Sequence, residues 1–378
     1  MRVLFVVPPI NTHIYPLTSV SSQLSARGHS TAWSGYGPSL AHSVHSDEET
    51  YPYDLPDHIL DETIFSQSIG IDRYRTLFED YLIPNSDISL RFVSSAVEDY
   101  LPDVIVSDQH AYAGAIAAQR FDLPWVTTAI TATGATDYLD GFPKLRAWEN
   151  DLLLDLASRH GVSGPLSTSP NLTIAFTIPA MAGPNPLDAK VEYVGPSFSD
   201  RADSAEFDWG WLAGGPTVLV SIGTLNHAIG TRFLTETIEA ARDWEGQMIV
   251  SGPPGLAAAA PPNVLVQGYL PQIELLKHVD AVVCHGGHNT VMEALGHGVP
   301  LVTAPIGDDH THAAQRLVAE GAGIRIKFRR AKAPKIREAL DDVLSDPSYR
   351  QAAQRLQGSL MAAGGAERAA RLIESVVR

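Results

Sequence analysis

The chain reads as α/β, built from two halves that each form a doubly wound parallel sheet. Three observations predict this. At 378 residues it is too long for one hydrophobic core. Short apolar runs alternate with helical periodicity, first from Arg2 and again from Thr217, and strands alternating with helices imply parallel sheets. Between the two series, residues 196–215 lose periodicity and fill with Asp, Ser, Gly and Trp, the composition of an interdomain linker. An apolar fraction of 44 % is enough for two cores.

Residues 2–7 are an apolar strand. Residues 8–16 read as a loop, and Pro16 suits the first turn of a helix in which Leu17, Val20 and Leu24 fall at helical spacing. Gly28, after Arg27, ends that helix, and the next strand begins near Ser30. Residues 104–107 are a strand, 111–120 an Ala-rich helix and 124–129 another strand. Two stretches, 43–100 and 132–165, read as mostly helical and carry Tyr74, Phe78, Tyr81, Phe92, Tyr138 and Trp148. The second half restarts with a strand at 217–222, and residues 257–262 read as a loop. The tail, 366–377, puts Ala369, Ile373 and Val376 on one helical stripe. The expected domains are 1–200, 215–362 and a terminal helix, 363–378, that crosses back to the first.

A net charge of −16 argues against nucleic acid or an anionic membrane surface as partner. A single cysteine, Cys284, excludes an internal disulfide. No apolar run reaches the ~18 residues of a membrane span. The opening MRVLFVVPP reads as a buried first strand, not a signal peptide. The expectation is a cytoplasmic enzyme.

Residues 284–298, CHGGHNTVMEALGHG, lie between apolar runs at 279–283 and 300–306. This reads as strand, Gly-rich turn, helix, strand. Bare glycine backbone at a helix N-terminus attracts phosphate through its N–H groups and the helix dipole. Asn289 and Glu293, four apart, share a helix face behind that mouth, where a carboxylate could hold ribose hydroxyls. The pattern is a nucleoside-diphosphate site without a P-loop or G-x-G-x-x-G. In the first half, His13 follows strand one and Asp108 follows the strand at 104–107. Ligands of open α/β sheets bind beyond the carboxyl ends of the strands. A neutral histidine there can take a hydroxyl proton, with a buried carboxylate fixing its tautomer. A loop histidine is also commonly a surface or helix-capping group.

These residues carry a resemblance. His285-Gly286-Gly287, Asn289-Thr290, Glu293-Ala294-Leu295, Gly298-Val299-Pro300 and Asp309 resemble the C-terminal signature of the family 1 glycosyltransferases, which have the GT-B fold. Gly268-Tyr269-Leu270-Pro271-Gln272 is similar to that family's W-x-P-Q element, with Tyr for Trp, and Ser221-Ile222-Gly223-Thr224 to its S-x-G-[ST] turn. His13-x-x-Pro16, Arg27-Gly28-His29 and the segment from Pro102 to Asp108 match more loosely, with Thr12 where the family has glycine.

The resemblance implies two Rossmann-like domains facing a central cleft, with donor on the C-terminal domain and acceptor on the N-terminal one. His13 becomes the general base and Asp108 its orienter. His285, Gly286, Gly287, Asn289 and Thr290 receive the diphosphate, Glu293 the ribose, and Ser221, Gly223, Thr224, Tyr269 and Leu270 complete the donor site. Tyr269 stacks on the base or packs in the core; Thr224 binds phosphate or closes a turn; Glu293 holds ribose or pairs with a cation on an exposed face. Asp309 and His310 align with the family's sugar-gripping Asp-Gln. His310 in place of Gln leaves room for a deoxysugar. Asp308, Asp309, His310 and His312 crowd together and admit a rival metal reading, against which stands the lack of any ligand spacing such as H-E-x-x-H.

The resulting expectation is an inverting hexosyltransferase of bacterial secondary metabolism, metal-independent and without a cofactor. It would move a sugar from a TDP or UDP donor to an apolar aglycone. A sugar-nucleotide epimerase or hydrolase, and a non-catalytic nucleotide-binding partner protein, are the alternatives. A homodimer is left open.

Overall fold

A computed structural model describes residues 1–60, 70–184, 187, 190–197, 205–212, 214–223 and 227–377. The chain forms two units, Met1–Arg201 with Ala362–Arg378, and Ala202–Met361. Helices of nine residues or more are numbered: α1 (Asn11–Ala26), α2 (Ile83–Tyr100), α3 (Tyr112–Arg120), α4 (Pro143–Arg159), α5 (His227–Ala240), α6 (His288–Gly296), α7 (Asp308–Ala319), α8 (Ala333–Ser345), α9 (Pro347–Ala362) and α10 (Gly365–Val377).

The first unit holds seven parallel strands among the described residues: β1 (Arg2–Val6), β2 (Ser30–Tyr36), β3 (Glu49–Tyr53), β4 (Val104–Asp108), β5 (Trp125–Ala129), β6 (Leu172–Ala175) and β7 (Val191–Tyr193). Their order is β3-β2-β1-β4-β5-β6-β7. The chain runs outward from β1 to one edge, then returns to lay β4 on the other side of β1, with Val6 opposite Ser107. Residues 3–6 of β1 are apolar at every position because both faces are covered. Val3 and Phe5 pack with Ile14, Leu17 and Leu24 of α1, whereas Leu4 and Val6 face Leu90 and Val93 of α2 and Ala113 of α3.

Helix α10 joins this unit and buries Ala369, Ala370 and Ile373 in the same core as α1; full burial of an isoleucine is worth about 1.5–3 kcal/mol. Its Glu374 accepts from Arg27 Nε at 2.7 Å, Arg27 Nη2 at 2.9 Å and His29 Nε2 at 2.8 Å. These bonds, Arg27's first, pull the Glu374 carboxyl down to about 2. His29 is therefore a structural tie. Gly28, between them, has φ +84°, the left-handed conformation that ends α1.

Three local expectations need correction. The loop over 8–16 does not hold: α1 begins at Asn11 and contains Pro16, so His13 lies in its first turn. A proline this near the start removes only the donor that would reach the Thr12 carbonyl. The stretch 43–100 contains the strand β3, whose Pro52 is tolerated because β3 is an edge strand paired with β2 alone. Residues Pro254–Ala259 form 3₁₀ turns, so the loop expected over 257–262 is confined to 260–262. Of the insert aromatics, Tyr74, Phe78 and Tyr81 belong to the core, with Phe92, Tyr138 and Trp148 partly buried against it, and Phe78 meets Trp148 edge-on at 5.8 Å. Glu149 accepts from Tyr74 Oη at 2.6 Å, and burial raises the pKa of its carboxyl.

The second unit holds six parallel strands among the described residues: β8 (Thr217–Ser221), β9 (Gln247–Ser251), β10 (Val264–Gln267), β11 (Ala281–Cys284), β12 (Leu301–Thr303) and β13 (Gly323–Arg325). Their order, β10-β9-β8-β11-β12-β13, again reverses beside the first strand, where Ser221 lies opposite Cys284. Val218, Val220, Val283 and Val302 form its core with Phe233 and Leu234 of α5 and Leu340 of α8. Among the described residues no helix is long and apolar enough to cross a membrane.

Candidate active-site residues in the two units

In each sheet the strand order reverses at one place, and connections leaving two adjacent strands in opposite directions open a crevice at their carboxyl ends. In the first unit that place is the β1–β4 pair. Helix α1 follows β1 and carries His13; β4 ends on Asp108. Both are buried, at 6 % and 3 % exposure. His13 Nδ1 lies 3.0 Å from Asp108 Oδ2 and 3.1 Å from Oδ1, so a neutral ring donates its Nδ1–H to the carboxylate and keeps its lone pair at Nε2. The His110 backbone N–H donates to Asp108 Oδ1 at 2.8 Å, which fixes the carboxylate from its other side.

Sequence reasoning missed His110. Its ring centroid lies 5.0 Å from that of His13. Burial, and then the neighbouring His13, push its pKa down to about 3, so it is a neutral imidazole at neutral pH. The signal was an Asp-x-His spacing at the end of a strand. Gln109 was missed as well: its side chain donates to Thr131 Oγ1 at 3.0 Å and accepts from the Thr131 N–H at 3.2 Å, bracing the turn that holds His110.

In the second unit the reversal is the β8–β11 pair, and the sequence-selected residues follow the carboxyl ends of β8, β10, β11 and β12. Ser221 closes β8 and is buried; Gly223 has φ +74°. Thr224 lies outside the described residues. After β11, Gly286 takes φ +88°, and a Cβ there would meet the His310 carbonyl oxygen at 2.9 Å. Only glycine meets both demands. Gly287 is the N-cap of α6, and a Cβ on it would strike the His285 ring at 2.6 Å. His288, Asn289 and Thr290 form the first turn of α6, whose N–H groups point out of the helix mouth. Beneath them the Gly286 N–H donates to Cys284 Sγ at 3.4 Å. Burial pushes that thiol up to about 12, so Cys284 is packing rather than a nucleophile.

The imidazoles of His285 and His310 are buried and meet edge-on with centroids 4.5 Å apart. His310 and Asp309 lie in the first turn of α7, with His310 Nε2 3.7 Å from Asp309 Oδ1. Glu293 is only 6 % exposed, so the exposed-face reading does not hold for it. Its Oε2 accepts from Gln272 Nε2, which makes Gln272 a further residue the sequence reading quoted without giving a role. Tyr269 is 53 % exposed and so is not a core residue, while Leu270 beside it is buried.

Residues 236–374 match the family model described as "Erythromycin biosynthesis protein CIII-like, C-terminal domain". Over its full length the chain is 27 % identical to 99 % of the 4'-demethylrebeccamycin synthase of Lentzea aerocolonigenes. It is 28 % identical, again over its full length, to 86 % of the demethyllactenocin mycarosyltransferase of Streptomyces fradiae. Among solved structures, the glycotransferase of kitacinnamycin superposes with a TM-score of 0.77 at 25 % identity, over 100 % of this chain and 99 % of that one. The chain is a glycosyltransferase with the GT-B fold, similar over its full length to natural-product glycosyltransferases and matching an EryCIII-like C-terminal domain over residues 236–374.

Proposed function

We propose that the chain is an inverting, metal-independent glycosyltransferase that moves a sugar from a TDP or UDP donor to a hydroxyl of an apolar natural-product aglycone. The first unit takes the acceptor and the second the donor. The acceptor oxygen forms a bond to the sugar's C1 as the C1–oxygen bond to the diphosphate breaks. The acceptor proton passes to His13 Nε2, and the bond's electron pair leaves on the diphosphate. Asp108 holds the Nδ1–H tautomer and stabilises the imidazolium.

The first turn of α6, with Gly286, Gly287 and His285, receives the diphosphate and its developing charge. Glu293, oriented by Gln272, takes the ribose hydroxyls; exposed Tyr269 offers its ring to the base; Asp309 and His310 face the sugar. Neutralisation by these donors is why no metal is needed. The reading includes a cytoplasmic setting and no nucleic acid as partner. The observation that carries it is the buried His13–Asp108 pair at 3.0 Å, at the reversal of the first sheet.

The experiment is a thermal-shift screen of UDP, TDP and GDP, then incubation of the matching sugar donor with and without an aglycone panel. Aglycone-dependent glycoside formation that survives EDTA is the expected result. Donor consumption without acceptor would mean a hydrolase or epimerase, and binding without consumption a non-catalytic protein. His13→Ala should lower turnover by roughly two to four powers of ten with donor affinity unchanged; near-wild-type turnover would remove His13 as base.

A further inference from the structure

We infer that His13, Asp108 and His110 form a binding site for a divalent transition ion such as zinc, and that an ion bound there switches the enzyme off. One coordinating atom from each residue lies within 4.8 Å of the other two. Ligands on a tetrahedral ion with bonds of about 2.0–2.1 Å sit about 3.3–3.4 Å apart. The His13–Asp108 edge, at 3.0–3.1 Å, is already near that spacing. The 4.8 Å limit exceeds that tetrahedral spacing by roughly 1.4 Å, a gap within reach of side-chain rotation at His110.

His110 supplies an independent reason. Its Nε2 contacts the Gln109 amide nitrogen at 3.4 Å, whereas its Nδ1 is buried and makes no hydrogen bond among the described residues. A buried ring nitrogen without a partner is costly unless something binds it. Two imidazoles and one carboxylate are a donor set for zinc, cobalt or copper, and not for magnesium, which keeps oxygen and water ligands.

The inhibition rests on His13 being the general base. A neutral imidazole has one proton and one lone pair. An ion on His13 Nδ1 takes the lone pair there and sends the proton to Nε2, so the nitrogen that should accept the acceptor's proton already carries one. The tautomer change releases no net proton.

The test titrates the whole chain with cobalt and with zinc in a non-coordinating buffer, with magnesium as control. Cobalt's visible absorption reports a tetrahedral site, and calorimetry reports zinc. One equivalent per chain should bind. His110→Ala, His110→Gln and His13→Ala should each weaken that binding at least about tenfold, with circular dichroism reporting the fold of each variant. Zinc at one equivalent should suppress wild-type transfer, EDTA should restore it, and each His110 variant should keep its own metal-free rate. Unchanged affinity in both His110 variants overturns the site. Binding as described with transfer still at its metal-free rate overturns the switch, and with it His13 as base, while leaving the site standing.

Discussion

Asp108→Asn isolates what the carboxylate does for His13. In the native site Oδ1 accepts the His110 N–H at 2.8 Å while Oδ2 lies 3.0 Å from His13 Nδ1. Asparagine supplies one acceptor where two are used. If its oxygen stays on the His110 N–H, its NH₂ faces Nδ1, which must then become an acceptor. The ring proton moves to Nε2 and the base lone pair is lost. Restoring the productive tautomer requires flipping the amide, which sets its NH₂ against the His110 N–H. That unsatisfied donor costs about 1–3 kcal/mol, a factor of about 5–150. The lost charged hydrogen bond to the imidazolium is worth about 1.5–3 kcal/mol, a further factor of about 10–150. Together they lower kcat by about 10² to 10⁴. The assay is initial rate at saturating donor with an accepted aglycone, alongside donor titration and thermal unfolding. Donor affinity and fold should be unchanged. A folded variant with kcat within about threefold of wild type would refute the reasoning.

Three further outcomes are expected. Gly286→Ala combines a left-handed φ of +88° with a backbone oxygen 2.9 Å from the new Cβ; it should cost about 1–3 kcal/mol of stability and weaken diphosphate binding, and an unchanged melting temperature and Kd would count against the assigned turn. Glu293→Ala should weaken binding of the nucleoside diphosphate itself by roughly ten- to hundredfold in calorimetry; a loss confined to the sugar-bearing donor would move Glu293 away from the ribose. Glu374 is depressed from 4.5 to about 2, so the stability it contributes is fully present above about pH 4.5 and is lost as pH falls through about 2. The melting-temperature gap between wild type and Glu374→Gln should therefore be full above pH 4.5 and close toward pH 2; a gap independent of pH would refute the ion-pair account.

The parallel sheets were legible because their strands are apolar at consecutive positions, as residues 3–6 and 281–284 are, a pattern that only two-sided burial explains. The Gly-rich turn after β11 was legible because its requirements are local: Gly286 needs φ +88°, and α6 starts directly after Gly287. What was missed is marginal by local rules. The edge strand β3 holds Pro52, against strand propensity, and pairs on one side only. Helix α1 starts before its proline, so His13 is set by a helix turn and not by a loop.

The His13–Asp108 pairing was reachable because each residue separately follows an apolar strand, yet the reason they meet is non-local. They are 95 residues apart and touch because β4 returns to lie beside β1 instead of extending the sheet past β3. Strand order of that kind is decided by which faces the crossover helices cover, not by any residue near either end. The same return explains why His110 went unnoticed. The Asp-x-His spacing at the end of β4 is a local signal too weak to stand by itself. Its meaning comes from β1, whose own following helix brings a second imidazole to within 5.0 Å. Once the β1–β4 reversal is fixed, every titratable residue within one turn of both strand ends is a candidate, and His110 is among them.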